Sequence, residues 1–381
     1  MLRSRHVIFV HGMLGWGPAD FFGLLPYWGR ALPCFGPQLH AHEAKCGPVS
    51  SLHDRACELF AQIHGARVDY GAEHSEKAGH ARFSRDYTGL GFAPDWSAKN
   101  PVVLIGHSAG ATTCLALQKL LSEDFWGVGS TADWIEAVVS IAGCLNGSLL
   151  AYRICDDATG RMTGRPSDLV ASGLGVASAL LALGKRPLYD FHLEHWTDGR
   201  DGGLRALDAT EFVSGDDNLA HDTTLQGAQA LARDFVCAPE TYYFSFVACA
   251  TKDDHSPDRD MSLRLRRLSR YQANRPDFAA APIEGWGEGD LAIDRWRAND
   301  GVISSISQRY PIGAPVGGEG IFDREGGFTP GCWYFENLND ALGAPFDHLD
   351  AVHGGPTKLS RASRRAHREF YRRLNALLLS L

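Results

Sequence analysis

The fold of this chain is decided by residues 102–110, whose sequence is VVLIGHSAG. Four apolar residues predict a buried strand, and residues 111–121 behind them have the leucine spacing of a helix. A G-x-S-x-G pattern between a strand and a helix indicates a serine held on a sharp turn. Gly106 and Gly110 suit such a turn, because a Cβ atom at either position would collide with neighbouring backbone. The pattern predicts that Ser108 is a nucleophile, and an ordinary strand-to-helix turn is the alternative.

A second strand that ends in glycines lies near the start of the chain. Residues 6–10, HVIFV, predict a buried strand that runs into His11-Gly12. An α/β-hydrolase places its oxyanion loop after such a strand. We therefore predict that the backbone N–H groups of Met13 and Ala109 are the oxyanion donors, where negative charge develops during acyl transfer. The alternative is a glycine-rich turn without chemistry.

Composition bounds the class of protein. The chain has 381 residues, of which 44% are hydrophobic, so it has room for one large α/β domain or two smaller ones. A net charge of −8 argues against nucleic acid as the main partner, and no apolar run is long enough to span a bilayer. No signal peptide precedes the first strand, so we expect a mature chain or a cytoplasmic one. The nine cysteines form no CxxC pair, which favours buried free thiols.

Strands and helices alternate along the rest of the chain. Further strands are predicted at residues 137–142 and 241–248, and further helices start near residue 54 and cover 222–228 and 359–381. Residues 167–186 predict an apolar helix rich in small residues, which is either core or a mobile cover. Residues 252–275 are charged and poorly patterned, so we expect a surface excursion there.

A serine hydroxyl needs a base, and the late part of the chain offers one. His348 lies in a predicted loop ahead of the last helix, where its imidazole would take the serine proton. A buried carboxylate must then orient the imidazole. Asp300 is the best candidate for this acid, and Asp294 and Asp347 are the alternatives. Serine, acid and histidine follow one another in the chain order of an α/β-hydrolase.

Residues 46–84 are polar and rich in histidine and acidic side chains. His74 and His80 lie six residues apart, with a glycine just before the second, so both can reach one ion from a loop. Two imidazoles and two carboxylates would form a closed tetrahedral zinc site. A pair of surface histidines without a metal is the alternative that the spacing leaves open.

Taken together, these motifs resemble the thermoalkalophilic bacterial lipases of the Geobacillus type, family I.5, and their staphylococcal cousins. The matching pieces run from end to end of the chain: His11-Gly12, Gly15-Trp16-Gly17, 47–51, 54–58, 68–72, 79–83, 189–191, 299–302 and 347–349. The resemblance implies one α/β-hydrolase domain over residues 1–381, with a mostly parallel central sheet flanked by helices. It also implies a zinc-binding insertion at 40–98 and a helical lid at 160–200.

The resemblance assigns roles to individual residues. It makes Ser108, Asp300 and His348 the nucleophile, acid and base, and Met13 and Ala109 the donors of the oxyanion amides. Asp54, His74, His80 and Asp222 fall on the zinc ligands of the family, with Asp222 completing the site from outside the insertion. We treat this zinc as structural, because four protein ligands leave no open position for water. Calcium is not predicted, because Gly355 stands where the family carries a second acid.

The expected activity is that of a serine carboxylic-ester hydrolase of lipase type, which cleaves acylglycerols or related esters through an acyl-enzyme. An oil–water interface is one place where such an enzyme would meet its substrate. The resemblance also implies a secreted enzyme, whereas the oligomeric state is not predicted. Ala109 and Met13 stand where the relatives carry larger or aromatic residues, and His53 replaces a tryptophan. The alternatives are an esterase, phospholipase or polyester hydrolase with the same triad, a catalytically silent binding protein, and a zinc-dependent hydrolase.

Overall fold

A computed structural model of the chain describes residues 5–164, 188–197, 207–208, 210–275, 293–352 and 361–381. The predicted apolar helix at 167–186 lies outside the described residues, as does most of the predicted lid at 160–200. Within the described residues, no helix is long and apolar enough to cross a membrane.

The described strands form two sheets. Their bounds are β1 (Arg5–Val10), β2 (Leu39–Ala44), β3 (Arg67–Asp69), β4 (Phe83–Asp86), β5 (Val102–His107), β6 (Ile135–Ile141), β7 (Tyr242–Val247), β8 (Val316–Glu319) and β9 (Trp333–Asn337). The large sheet has seven strands in the order β2-β1-β5-β6-β7-β9-β8, and each neighbouring pair is parallel. β3 and β4 form a separate antiparallel pair inside the predicted metal-binding insertion.

Helices cover the sheet on both sides. The α-helices of the described residues are α1 (Leu52–His64), α2 (Ala72–Ala78), α3 (Ala109–Ser122), α4 (Leu219–Asp222), α5 (Leu225–Asp234), α6 (Leu263–Ala273), α7 (Ile293–Arg297), α8 (Leu338–Leu342) and α9 (Arg361–Ser380). Parallel strands bury both faces, which explains why β5 reads as an unbroken apolar run. α1 and α3 pack on one face, and α9 packs on the other through Tyr371, whose ring lies 6.3 Å from that of Phe9. The predicted α/β-hydrolase architecture is confirmed.

Two local predictions need correction, and a third is confirmed. The helix predicted to open at Asp222 begins at Leu225, because the Thr224 side chain accepts the N–H of Gly227 and caps it. The predicted surface excursion at 252–275 contains α6, whose Leu265 and Leu268 are buried on one side of an arginine-rich helix. All nine cysteines are free thiols, as expected.

The turn between β5 and α3 depends on two glycines. A Cβ atom on Gly110 would lie 2.1 Å from the carbonyl oxygen of Val10, well inside the contact distance of the two atoms. A Cβ atom on Gly106 would lie 2.4 Å from the backbone N and Cα of Ala111. Between these glycines, Ser108 adopts φ 56° and ψ −128°, a conformation that non-glycine residues rarely take. Close packing of α3 against the end of β1 therefore forces the sharp turn that the sequence predicted.

Replacing Gly110 with alanine should destabilise the protein by about 3 kcal/mol, because the new Cβ atom must push α3 away from β1. Thermal and denaturant unfolding would measure the loss. Gly36→Ala is the matched control, since a Cβ atom there would have no neighbour within 4 Å among the described residues other than those adjacent in sequence. Equal stability of the two variants would contradict the packing argument.

Candidate functional site

Ser108 lies against the loop that follows β1. A Cβ atom built on Gly12 would be 2.7 Å from the Cβ atom of Ser108 and 3.2 Å from its hydroxyl oxygen. The backbone of Ser108 is held from the neighbouring strand, since its N–H donates to the carbonyl of Ile141 at 3.0 Å. The glycine at position 12 therefore lets the loop after β1 approach the serine side chain directly.

Two backbone amides point to an anion-binding role at this loop. The N–H groups on either side of Met13 are occupied: that of Gly12 donates to the Tyr27 hydroxyl at 3.1 Å, and that of Leu14 to the Pro48 carbonyl at 2.9 Å. The N–H of Met13 has no backbone or side-chain acceptor among the described residues. Ala109 is the first residue of α3, a position whose N–H has no acceptor within a helix. Neither of the two predicted oxyanion donors thus has a hydrogen-bond acceptor among the described residues.

Asp300 is fully buried and has four hydrogen-bond donors around it. Its Oδ1 accepts the N–H groups of Val302 at 2.9 Å and Ile303 at 2.8 Å. Its Oδ2 accepts the Gln308 amide at 3.1 Å and lies 2.8 Å from Nδ1 of His348. A carboxylate held in this way can only accept, so the proton of His348 sits on Nδ1 and Nε2 keeps its lone pair.

The two alternative acids have other surroundings. The side chain of Asp294 is 84% exposed and pairs with Arg297 at 3.0 Å, one turn further along α7. Oδ1 of Asp347 accepts the N–H groups of Leu349 and Asp350, and so caps the turn that carries the histidine. The direct bond to His348 therefore favours Asp300 among the three candidates.

His107 connects the serine turn to the loop that carries the base. Its Nε2 lies 3.0 Å from the carbonyl oxygen of His348, and the two imidazole rings are 4.6 Å apart. Its Nδ1 lies 2.7 Å from the hydroxyl of Tyr27. The same hydroxyl accepts the N–H of Gly12. One continuous line of hydrogen bonds thus joins the loop after β1, the residue before Ser108 and the backbone of His348.

The direction of each bond in this line follows from its two ends. A carbonyl only accepts, so Nε2 of His107 carries the proton and Nδ1 accepts from Tyr27. Burial, and then the neighbouring His348, lower the pKa of His107 well below its usual value. Burial also raises the pKa of the Tyr27 hydroxyl, which keeps its proton. The sequence did not predict this line, because Tyr27 lies 80 residues before His107 in the chain.

An apolar pocket opens beside Ser108. Its lining consists of Met13, Ser108, Ala109, Cys144, Ser148, Leu150, Ala151, Ile154, Thr223, Val302 and Ile303. Most of these side chains are aliphatic, so the surface beside Ser108 is apolar. Burial raises the pKa of the Cys144 thiol to about 12, so this thiol stays protonated and is no rival nucleophile.

A second group of side chains converges at the insertion between β2 and β5. Asp54, His74 and His80 belong to this insertion, and Asp217 reaches it from the segment before α4. The ligand atoms of the four residues all lie within 4.8 Å of one another. Nε2 of His74 is 3.2 Å from Asp54 and 3.3 Å from Asp217, and Nε2 of His80 is 3.3 Å from Asp217. These separations suit ligand atoms at about 2.0–2.2 Å from one tetrahedral ion.

The same atoms lack the hydrogen bonds that buried polar atoms require. Oδ1 of Asp54, Nε2 of His74, Nε2 of His80 and Oδ2 of Asp217 are all buried without a hydrogen-bond partner. Four such orphaned atoms directed at one point are costly unless an ion satisfies them. The residues therefore fit a divalent metal with two nitrogen and two oxygen ligands.

Asp222, predicted as the fourth metal ligand, is not part of this group, and Asp217 takes its place. Asp222 ends the short helix α4, and its Oδ2 accepts the N–H of Leu52 at the start of α1 at 2.6 Å. Burial raises the pKa of this carboxyl to about 8, aided by the nearby Asp217 and Asp54 charges. Asp222 is therefore engaged with the start of α1, and its position outside the group rests on this contact.

Two further histidines surround the group. Nε2 of His195 lies 3.1 Å from Oδ2 of Asp54, so it orients this carboxylate from behind. His53 stacks on the ring of His74 at 3.7 Å and bonds to the carbonyl of Tyr70 at 2.8 Å. Sequence reasoning missed the role of His195, although the residue lies in the conspicuous stretch FHLEHW at 191–196.

Comparison with known proteins supports the resemblance. A family model described as the C-terminal domain of lipase-like proteins matches residues 3–126. The chain is 26% identical to a lipase of Staphylococcus hyicus over 335 residues, which cover 80% of this chain and 48% of that protein. It is 26% identical to lipase 2 of Staphylococcus aureus over 376 residues, or 92% of this chain and 50% of that protein. The chain spans about half the length of the curated relatives it matches.

Solved structures agree with these relatives. EstA from Clostridium botulinum is 27% identical with a TM-score of 0.74, and the match covers 99% of this chain and 88% of that chain. Lipase 1 from Pelosinus fermentans is 26% identical with a TM-score of 0.71, covering 100% of this chain and 99% of that one. This chain is thus similar in sequence to Staphylococcus-type bacterial lipases, and its described residues have an α/β-hydrolase fold.

Proposed function

We propose that this chain is a serine carboxylic-ester hydrolase of lipase type, with Ser108, His348 and Asp300 as its catalytic triad. The observation that carries the proposal is the bond between His348 and the buried Asp300, together with the 4.6 Å contact between the rings of His348 and His107, the residue before Ser108. Several of its relatives are named lipases, and their α/β-hydrolase fold supports the same chemistry. The chain spans about half the length of its curated relatives, so its proposed activity and substrate are argued from the residues of this chain.

In the first step, the hydroxyl oxygen of Ser108 attacks the ester carbonyl while Nε2 of His348 takes the hydroxyl proton. The buried carboxylate of Asp300 stabilises the imidazolium that forms. The amides of Met13 and Ala109 bind the negative oxygen of the tetrahedral intermediate, a contribution of about 3 kcal/mol for each donor. The carbon–oxygen bond to the alcohol then breaks, and His348 returns the proton to the leaving alkoxide.

The second step repeats this chemistry with water. His348 takes a proton from a water molecule, which attacks the carbonyl carbon of the acyl-enzyme. The bond to Ser108 breaks, the serine recovers its proton, and a carboxylic acid leaves. The aliphatic lining beside Ser108, which includes Leu150 and Ile154, supports a hydrocarbon acyl chain as the group transferred. Acylglycerols are therefore the proposed substrate class.

The substitution Ser108→Ala should abolish ester hydrolysis while the protein stays folded. Turnover of p-nitrophenyl esters and of emulsified triglyceride would be measured, together with labelling by a fluorophosphonate probe. Ser122→Ala is the control, since this exposed serine ends α3 and its hydroxyl donates to the carbonyl of Lys119 within the same helix. Normal turnover by the Ser108 variant would refute the proposed nucleophile and leave the zinc-dependent hydrolase as the alternative.

Tyr27 and His107 are proposed as positioning residues for this reaction. The substitution Tyr27→Phe removes the acceptor for Gly12 N–H and the donor to His107, so the oxyanion loop and the base lose their shared support. We expect kcat to fall about ten-fold or more with little change in KM, and the rate of fluorophosphonate labelling to fall in parallel.

Tyr243→Phe is the matched control for this variant. Tyr243 is also fully buried, and its hydroxyl donates to Gln118 at 2.7 Å and accepts the N–H of Ala238 at 2.8 Å. Both variants should therefore lose a similar stability of about 1–3 kcal/mol. An equal fall in kcat for the two variants would show that the effect is general destabilisation.

We also propose that the group of Asp54, His74, His80 and Asp217 binds zinc as a structural ion. Nitrogen and oxygen ligands in a tetrahedral arrangement suit this metal, and four protein ligands leave no position for a catalytic water. Bound zinc would stabilise the insertion, because it would connect Asp54 at the start of α1 with His74 in α2 and His80 just after α2. Chelation should then lower the melting temperature before it affects turnover.

Two neighbouring aspartates test this assignment. Asp217→Asn should lower the zinc content measured by elemental analysis from about one ion per chain to a small fraction, since it removes a charged ligand. Asp222→Asn should keep its zinc, because an amide can still accept the N–H of Leu52. Loss of zinc from the Asp222 variant alone would return the assignment to the sequence prediction.

A further inference from the structure

An exposed groove lies between the start of α9 and the segment that precedes β2. Its lining consists of Pro26, Gly29, Arg30, Arg364, Arg365, His367 and Arg368, and its volume is about 700 Å³. We call its four arginines, Arg30, Arg364, Arg365 and Arg368, the arginine groove. All four are exposed, and none has an ion-pair partner within the described part of the chain.

This concentration of positive charge is unexpected for a chain with a net charge of −8. Arginines on an acidic protein normally find carboxylates, as Arg372 and Arg373 further along α9 do with Glu369 and Asp323. The arginine groove therefore presents uncompensated charge that would attract an anionic partner over about one Debye length.

Exposed apolar side chains adjoin the groove. Phe22, Leu24 and Leu25 are exposed by 65%, 76% and 42%, and together they form what we call the apolar loop. It runs directly into Pro26, which lines the arginine groove. The backbone holds this exposure at a conformational cost, because Phe22 has a φ of 58°, which bulky residues rarely adopt.

The apolar loop is fixed from inside the protein. Phe21 also has a positive φ, of 51°, and turns inward to pack on Trp16 at 5.4 Å and on Tyr189 at 5.7 Å. The indole N–H of Trp16 donates to the carbonyl of Leu25 at 2.6 Å. Phe21 therefore anchors the loop inside the protein, and the side chain of Phe22 points outward from this fixed backbone.

Both features lie at the edge of the sheet that carries the candidate active site. The apolar loop follows the oxyanion loop within ten residues, and Tyr27 beyond it holds the N–H of Gly12. The start of α9 is tied to the turn after His348, since Nδ1 of His367 lies 3.0 Å from the carbonyl of Asp350. Nε2 of His367 in turn accepts the N–H of Arg30 at 3.4 Å.

We propose that the arginine groove and the apolar loop form one docking surface for an anionic lipid–water interface. Arginines bind lipid phosphates, and exposed phenylalanine and leucine side chains enter the boundary between headgroups and acyl chains. A soluble anion would use the arginines but would leave the apolar loop in water, so the combination favours a lipid surface. The inference rests on the proposed lipase-type function and gives it a preferred partner: an ester substrate carried in a negatively charged interface.

Binding to lipid vesicles tests the proposal without hydrolysis when the full-length Ser108→Ala protein is used. Vesicles of phosphatidylglycerol should bind it, vesicles of phosphatidylcholine should bind it far more weakly, and about 0.5 M salt should reverse the binding. Adding Arg365→Glu and Arg368→Glu should weaken binding to phosphatidylglycerol at least about 25-fold, or about five-fold for each arginine. The matched control reverses Lys77 and Lys99, two exposed lysines outside the docking surface.

The apolar loop has its own variant and control. Phe22→Ser combined with Leu24→Ser should weaken vesicle binding at least about ten-fold, because two apolar side chains no longer leave water. Val236→Ser, at a residue 81% exposed after α5, should leave binding unchanged. Equal binding to both lipids would overturn the proposal. So would unchanged binding of the arginine variant, or tight binding of inorganic phosphate in place of vesicles.

A separate assay distinguishes this inference from the proposed function. With Ser108 intact, the arginine and apolar-loop variants should hydrolyse a soluble short-chain ester as fast as the unaltered protein, because these side chains lie outside the catalytic residues. Absent hydrolysis by the unaltered protein, with vesicle binding retained, would refute the enzyme and leave the docking surface. Normal hydrolysis of the soluble ester without vesicle binding would refute the docking surface alone.

Discussion

The candidate site depends on one steric constraint, the contact between the backbone of α3 and the end of β1. Gly110 has no side chain to keep the helix away from the carbonyl of Val10, and Gly106 leaves space for the turn itself. Once these backbones meet, Ser108 has to take a strained conformation with a φ of 56°. The same approach brings Gly12 against the serine side chain, so the proposed nucleophile and the proposed oxyanion loop are positioned by a single backbone contact.

The oxyanion loop is then held from two sides by buried polar side chains. On one side, the Tyr27 hydroxyl accepts the N–H of Gly12 and donates to His107. On the other side, the fully buried Arg55 donates to the carbonyls of His11 and Gly47. Because Arg55 directly follows the proposed metal ligand Asp54 in α1, the proposed zinc ion and the loop after β1 are connected through two adjacent residues. Fixing the start of α1 would thus stabilise the proposed oxyanion loop.

Local patterns predicted the parts of the molecule that local sequence determines. Apolar runs indicate buried strands, and they predicted the strands at residues 6–10, 137–142 and 241–248. The two glycines around Ser108 predicted the sharp turn between β5 and α3. β2 was not predicted, since LHAHEA lies at the sheet edge and reads as polar. α6 was not predicted either, because its arginines mask the stripe that contains Leu265 and Leu268.

Contacts between residues far apart in the chain could not be predicted from the sequence. Asp217 and Asp222 lie five residues apart, and the choice between them depends on which one faces His74 and which one faces Leu52. The sequence contains no sign of that difference, whereas the family motif pointed to Asp222. Tyr27 and His195 act on partners 80 and 141 residues away, so only the folded chain brings them into the site.

Catalysis and docking can share one edge of this molecule because a parallel sheet sends each of its carboxyl-end loops to the same side. The loop after β1 contains first the proposed oxyanion donor, Met13, and then the exposed side chains of Phe22 and Leu24. The chain after β9 contains first the proposed base, His348, and then the arginines of α9. In each case the proposed catalytic residue precedes the proposed docking residues within one continuous segment. The negative charge of a lipid surface bound there would meet the arginine groove of an otherwise acidic chain.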